Sequence, residues 1–120
     1  MISAEVVAAS RHPGGGPALY TLALVFPTFL LPEVLTHRDR ARNTSSTRAI
    51  PTRRLLETPP YVPAVFRANR KGMQPGEALD PERQERARRI WEEAAEACRR
   101  AAEALAELGV HKQWAGRPLT

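Results

Sequence analysis

The segment Thr36-His37-Arg38-Asp39-Arg40-Ala41-Arg42-Asn43-Thr44-Ser45-Ser46-Thr47-Arg48 holds one histidine, four arginines, an asparagine and five hydroxyl side chains in thirteen residues. Arginines on a loop can hold phosphate by charge-assisted hydrogen bonds. The hydroxyls of Thr44, Ser45, Ser46 and Thr47, with nearby backbone N–H groups, can ring the phosphate oxygens. His37 can donate or accept at a heterocyclic ring. The same composition also describes a solvated basic loop with no ligand. On composition alone both readings stay open.

The elements that must position this segment are legible on either side of it. Residues 2–10 and 18–26 read as two strands. Leu22, Leu24 and Phe26 share one face at period two, and Ile2, Ala4 and Val6 offer a weaker matching face. Pro13-Gly14-Gly15-Gly16-Pro17 marks a hairpin loop with too many glycines for a tight two-residue turn. After Pro27, Thr28 is an expected cap for a helix from about Phe29 to Arg40. Its apolar side is Leu30, Leu31, Val34 and Leu35, and Pro32 fits only its first turn. His37 and Arg38 then fall near the helix C-terminus. Residues 43–47 are poor helix material and predict a loop. A short helix is expected over 51–57, followed by an irregular stretch from Tyr61 to Gly76.

The best-specified element is the last helix. Asp80 is its expected N-cap, Pro81 its first residue and Gly109 its stop. Trp91, Ala95, Cys98, Ala102 and Leu105 recur at four- and three-residue steps and predict a narrow packing stripe. Glu82–Arg86, Glu85–Arg89 and Glu96–Arg100 are expected ion pairs on the solvated side. Trp91 reads as a core or interface anchor. Together these elements predict an α+β fold: an N-terminal β-hairpin packed with helices, ending in a long amphipathic helix. At 120 residues, one domain covering 1–120 is expected.

Net charge is +5, and it is unevenly placed. From Arg38 to Lys71 nine Lys/Arg face two acids, Asp39 and Glu57. Such a field suits an anionic partner: a nucleotide, a phosphate-bearing cofactor or nucleic acid. Only Lys71 and Lys112 among the eighteen cations are lysines, which suits bidentate phosphate contacts but also follows from a GC-rich genome. The longest mostly apolar stretch, Leu22 to Leu31, is too short to span a bilayer and is closed by Pro32. The start of the chain lacks a signal-peptide pattern. The single cysteine, Cys98, excludes an intrachain disulfide or a cysteine zinc cluster. A cytoplasmic protein with no membrane segment and no metal is expected.

The segment from Thr36 resembles the signature of the flavin-dependent thymidylate synthases. That signature runs Arg-His-Arg, two variable residues, Ser, one variable, Asn-Glu, one variable, Ser, one variable, Arg-Tyr. His37, Arg38, Asn43, Ser46 and Arg48 match it; Thr36, Ala41, Thr44 and Ala49 depart from it. Thr36-His37-Arg38 and Ser46-Thr47-Arg48-Ala49-Ile50-Pro51 are similar to a divergent, phage-like branch. The likeness extends to the hairpin start, Glu33, Gly72-Met73-Gln74, and Gly109-Val110-His111-Lys112-Gln113, and so spans nearly the whole chain.

This resemblance implies a flavin-dependent methyltransferase of nucleotide biosynthesis. It would convert dUMP to dTMP, with methylenetetrahydrofolate as carbon source, FAD as cofactor and NADPH as reductant. Thr36, His37, Arg38 and Asn43 would lie against FAD. Glu33, Thr44, Ser45, Ser46 and Arg48 would lie against dUMP, with Ser46 and Arg48 as the catalytic pair that grips its phosphate. Thr36 and Thr44 lack the charges the family carries there. The family uses no enzyme cysteine as nucleophile, so Cys98 is expected to pack. The resemblance further implies a homotetramer with shared sites. It also implies an incomplete version of the synthase fold, since the family continues past the last matched motif with an arginine that helps activate dUMP. A truncated or split form is therefore expected. Arg67, Asn69, Arg70, Lys71 and Gln74 suit either added phosphate or folate contacts or a solvated loop. His111 suits either a helix-dipole partner or a site edge. Arg117 lies near a position where the family places a nucleotide-binding arginine. The competing classes are a basic nucleic-acid-binding module and an inactive assembly remnant. Aromatics are sparse at 6% and do not interleave with the cations, so stacking on single strands is disfavoured.

Overall fold

A computed structural model describes residues 2–46 and 48–119. The chain divides into two compact units, Met1–Arg42 and Asn43–Thr120. Its class is α+β, with one antiparallel hairpin and helices that include one of 27 residues.

In the first unit β1, Ser3–Arg11, pairs antiparallel with β2, Ala18–Val25. The register sets Ala4 opposite Leu24 and Val6 opposite Leu22, the shared face expected from period two. An irregularity between Val6 and Ala8 then shifts the pairing, so that Ala9 faces Tyr20. The connecting loop closes through Gly15 N–H donating to the His12 carbonyl at 3.0 Å. Gly15 and Gly16 take φ of 87° and 115°, a region only glycine enters without strain. Val6, Leu19, Leu22 and Leu24 remain exposed.

The helix expected over 29–40 is shorter than its pattern. Thr28–Leu30 forms a 3-10 turn capped by Pro27 with no side-chain cap bond, so Thr28 is its first residue rather than a cap. Helix α1 spans only Leu31–Thr36, with Pro32 in its first turn. The Thr36 hydroxyl donates to the Glu33 carbonyl at 2.6 Å. That bond competes with helix propagation. His37 follows in an extended conformation, φ −75° and ψ 105°.

In the second unit α2, Thr52–Leu56, and α3, Pro81–Glu107, flank an irregular stretch. Asp80 caps α3, accepting from Arg83 N–H at 2.9 Å. The far end is a Schellman stop: Val110 N–H donates to the Leu105 carbonyl and Gly109 N–H to Ala106, both at 3.0 Å. Gly109 supplies the required φ of +77°. Of the expected ion pairs, Glu85–Arg89 forms at 3.9 Å and Glu96–Arg100 at 3.6 Å. Helix α4, Lys112–Ala115, and a 3-10 turn, Arg117–Leu119, pack back on α3. Ala102 and Ala115 are fully buried there, small residues that permit close approach.

Residues 56–66 run antiparallel along α3 and are held by its side chains. Arg99 donates to the Leu56 and Thr58 carbonyls at 2.6 and 3.0 Å. Trp91 Nε1 donates to Tyr61 at 2.7 Å, and Arg88 to Ala64 at 3.5 Å. Gln84 exchanges two bonds with the Phe66 main chain. The Phe66 and Trp91 rings meet edge to face at 6.1 Å. This inward face includes Arg99 and leaves Cys98 exposed, which corrects the packing role expected for the cysteine.

Candidate functional site

The segment from Thr36 to Arg48 crosses the boundary between the two units. Thr36, His37 and Arg38 belong to the first and Asn43 to Arg48 to the second. Every residue from Leu35 to Ser46 is exposed. Thr47 lies outside the described residues.

On the first unit, the end of α1 sets what each side chain can offer. The Thr36 hydroxyl proton is committed to Glu33, so Thr36 presents only an acceptor. Arg42 Nη1 folds back to donate to the carbonyls of His37 and Arg40. This ties the backbone after α1 into a loop and engages the Arg42 guanidinium. Asp39 and Arg40 pair at 3.3 Å. The hydrogen bond from Arg40, with its charge, holds the Asp39 carboxyl below its ordinary value, so Asp39 offsets Arg40. Among the described residues the Arg38 side chain has no hydrogen bond or ion pair, and it is the unengaged cation of this loop. An imidazole and an unengaged guanidinium on consecutive residues are donors suited to an anionic, heterocyclic group. Glu33 sits in the first turn of α1, exposed.

On the second unit, Asn43, Thr44 and Ser45 are irregular and exposed, as a loop of short polar residues should be. The Ser46 carbonyl accepts from Ala49 N–H at 2.9 Å and Ile50 N–H at 3.2 Å. This closes a turn that presents Arg48. Pro51 then leads directly into α2. The turn is also held from a distance: Lys112 Nζ donates to the Ala49 carbonyl at 3.3 Å, across 63 residues of sequence. The structure thus brings the end of the Ser46–Pro51 stretch together with His111-Lys112-Gln113. The sequence marked His111-Lys112-Gln113 as one run but gave a role only to His111, because the Lys112 cation is not distinguishable there from the other charges.

His111 has a structural task of its own. Its Nδ1 accepts from Gln113 N–H at 3.2 Å and caps α4. It begins the next helix, where a partner for the α3 dipole was one expectation. Arg117 donates to the Gln113 carbonyl at 3.4 Å, which fastens the C-terminal turn to α4. No group of three His, Cys, Asp or Glu able to hold a metal occurs among the described residues. No helix among them is long and apolar enough to cross a membrane. Comparison with protein-family models, curated proteins and solved structures gives no match.

Proposed function

We propose that the chain serves flavin-dependent thymidylate synthesis, the reductive methylation of dUMP to dTMP with methylenetetrahydrofolate and NADPH. In this reading His37 and Arg38 of the first unit bind FAD, with Thr36 as acceptor. Ser46 and Arg48 of the second unit bind the dUMP phosphate, with Thr44 and Ser45 on the same loop. Bound FAD supplies the redox chemistry, and these side chains supply position and positive charge. Assembly is as a cytoplasmic homo-oligomer whose subunits share sites, as the resemblance implies.

One observation carries the reading: the Lys112–Ala49 bond at 3.3 Å. Two stretches that the family resemblance picked out separately meet in one unit, and the meeting holds the turn that presents Arg48. Arg38, exposed and unengaged, supplies the corresponding cation on the first unit. The purified chain is expected to take up FAD and show a flavin absorbance spectrum that Arg38→Ala abolishes. Tritium release from labelled dUMP, with FAD, NADPH and methylenetetrahydrofolate present, tests the reaction itself. A chain that stays colourless at saturating FAD, while binding DNA with a steep salt dependence, would falsify the proposal in favour of a nucleic-acid module.

A further inference from the structure

We infer that the loop of residues 67–76 is a second anion site, which takes the phosphates of a small polyphosphate-bearing ligand. It lies apart in sequence from the Thr36–Arg48 segment and does not depend on the thymidylate reading. The loop borders an open hollow of about 350 Å³, lined among others by Arg67, Asn69, Arg70, Met73 and Gln74. Two arginines and two carboxamide residues therefore line one open hollow. No acidic residue occurs between Glu57 and Glu77, and Lys71 adds a further cation beside Arg70.

The base of the loop is built to hold this shape. Arg67 pairs with Ala78 in an isolated antiparallel bridge. Ala68 N–H donates to the Glu77 carbonyl and Gly76 N–H to Ala68, both at 2.8 Å. A Cβ at Gly76 would stand 2.8 Å from the Ala68 oxygen, so this closure requires glycine. Arg67 Nη1 reaches the Gly76 carbonyl at 3.4 Å and steadies one guanidinium over the base. Gly72 turns the tip with φ of +106°. The Gln84 side chain anchors the whole closure to α3 through Phe66 and Leu79. Backbone order of this kind lowers the entropy cost of gathering cations around an anion.

The hollow is roomier than one phosphate group and falls at the lower end of the about 300–1,000 Å³ typical of small-ligand sites. No aromatic side chain lines it, so it offers no platform for stacking successive bases. Those features favour a compact polyphosphate group over a nucleic-acid strand.

The test uses inorganic tripolyphosphate on the full chain carrying Arg48→Ala, so that the proposed nucleotide turn contributes nothing. The chain has two methionines, and Met73 stands fully exposed on this loop. With methyl-labelled methionine, the Met73 resonance is expected to shift saturably with tripolyphosphate. Arg70→Ala should weaken that binding about tenfold, the loss of one charge-assisted contact. Arg86→Ala, an equal change of charge on the exposed side of α3, should leave it unchanged. A silent Met73 methyl overturns the inference, as does equal weakening by Arg86→Ala. So does a single-stranded oligonucleotide that shifts Met73 where tripolyphosphate does not. Failure of flavin or dUMP binding leaves it standing.

Discussion

Gln84 and Phe66 bond to each other twice. Phe66 N–H donates to Gln84 Oε1 at 2.9 Å, and Gln84 Nε2 donates to the Phe66 carbonyl at 2.7 Å. The side-chain amide thus pairs with main chain whose carbonyl also accepts from the Leu79 N–H at 3.0 Å. Gln84 Nε2 also reaches the Leu79 carbonyl at 3.2 Å, so one carboxamide joins α3 to both sides of the 67–76 loop.

Removing that carboxamide should therefore cost more than an ordinary surface change. The groups are part-buried, and Gln84→Ala leaves the Phe66 N–H without its partner, while the Phe66 carbonyl keeps the Leu79 N–H at 3.0 Å. A loss of about 1–3 kcal/mol is expected, the usual penalty for an unsatisfied buried polar group. Urea unfolding should show a lower midpoint with unchanged slope. A midpoint equal to that of the parent chain would show that water replaces the amide at no cost.

How much of this was readable beforehand differs from element to element. The hairpin register and both ends of α3 follow from local chemistry: alternation, a Gly-rich loop, Asp80-Pro81 and Gly109. These signals lie within a few residues of what they specify. The Gln84 clamp and the Lys112–Ala49 bond join distant residues through single polar side chains, which leave no periodic trace. The truncation of α1 was hidden for another reason. Thr36 looks like one more helix residue until its hydroxyl turns back on Glu33. Of the candidate site, the residue types and an irregular loop from Asn43 onward were legible. The tying-up of Arg42, which leaves Arg38 as the available cation, was not.

Asp80 gives a pH signature to α3. The Arg83 backbone N–H, then its side chain, bond the Asp80 carboxylate and hold its carboxyl below the ordinary value of 3.8. A depressed folded-state value contributes stability that is complete above the unfolded value and is lost as pH falls through the folded one. Helicity by circular dichroism should therefore fall as pH drops below about 3.8. Asp80→Asn keeps a capping oxygen but has no proton to gain there. Its helicity should lose that acid-linked component. Superimposable acid profiles for the two chains would rule out Asp80 as the source.

Cys98 offers a direct check on which face of α3 points inward. It is exposed, whereas Arg99 is half-buried and bonded to Leu56 and Thr58. A thiol reagent should label Cys98 in the native chain at a rate close to that of the urea-unfolded chain. Cys98→Ser should change stability by no more than about 0.5 kcal/mol, as for a surface site. Arg99→Ala should destabilise measurably, since it strips donors from two carbonyls at once. Slow native labelling, or a large loss in Cys98→Ser, would return the cysteine to the packed face.

Lys112 separates holding the nucleotide turn from holding the flavin. Its ammonium bonds the Ala49 carbonyl at 3.3 Å, and Ala49 N–H bonds Ser46 within the same turn. Lys112 acts on Arg48 through that backbone and is a positioning residue in the proposed enzyme. Lys112→Met keeps the length of the stem and removes the donor. The bond is solvent-exposed, so its loss is expected to be modest: dUMP binding weakened about fivefold, equivalent to roughly 1 kcal/mol. Lys112→Arg restores a donor and should recover most of the affinity. FAD binding, assigned to His37 and Arg38 on the other unit, should stay within error of the parent chain. Equal weakening of FAD and dUMP by Lys112→Met would mean that the residue supports the fold as a whole and not the Arg48 turn.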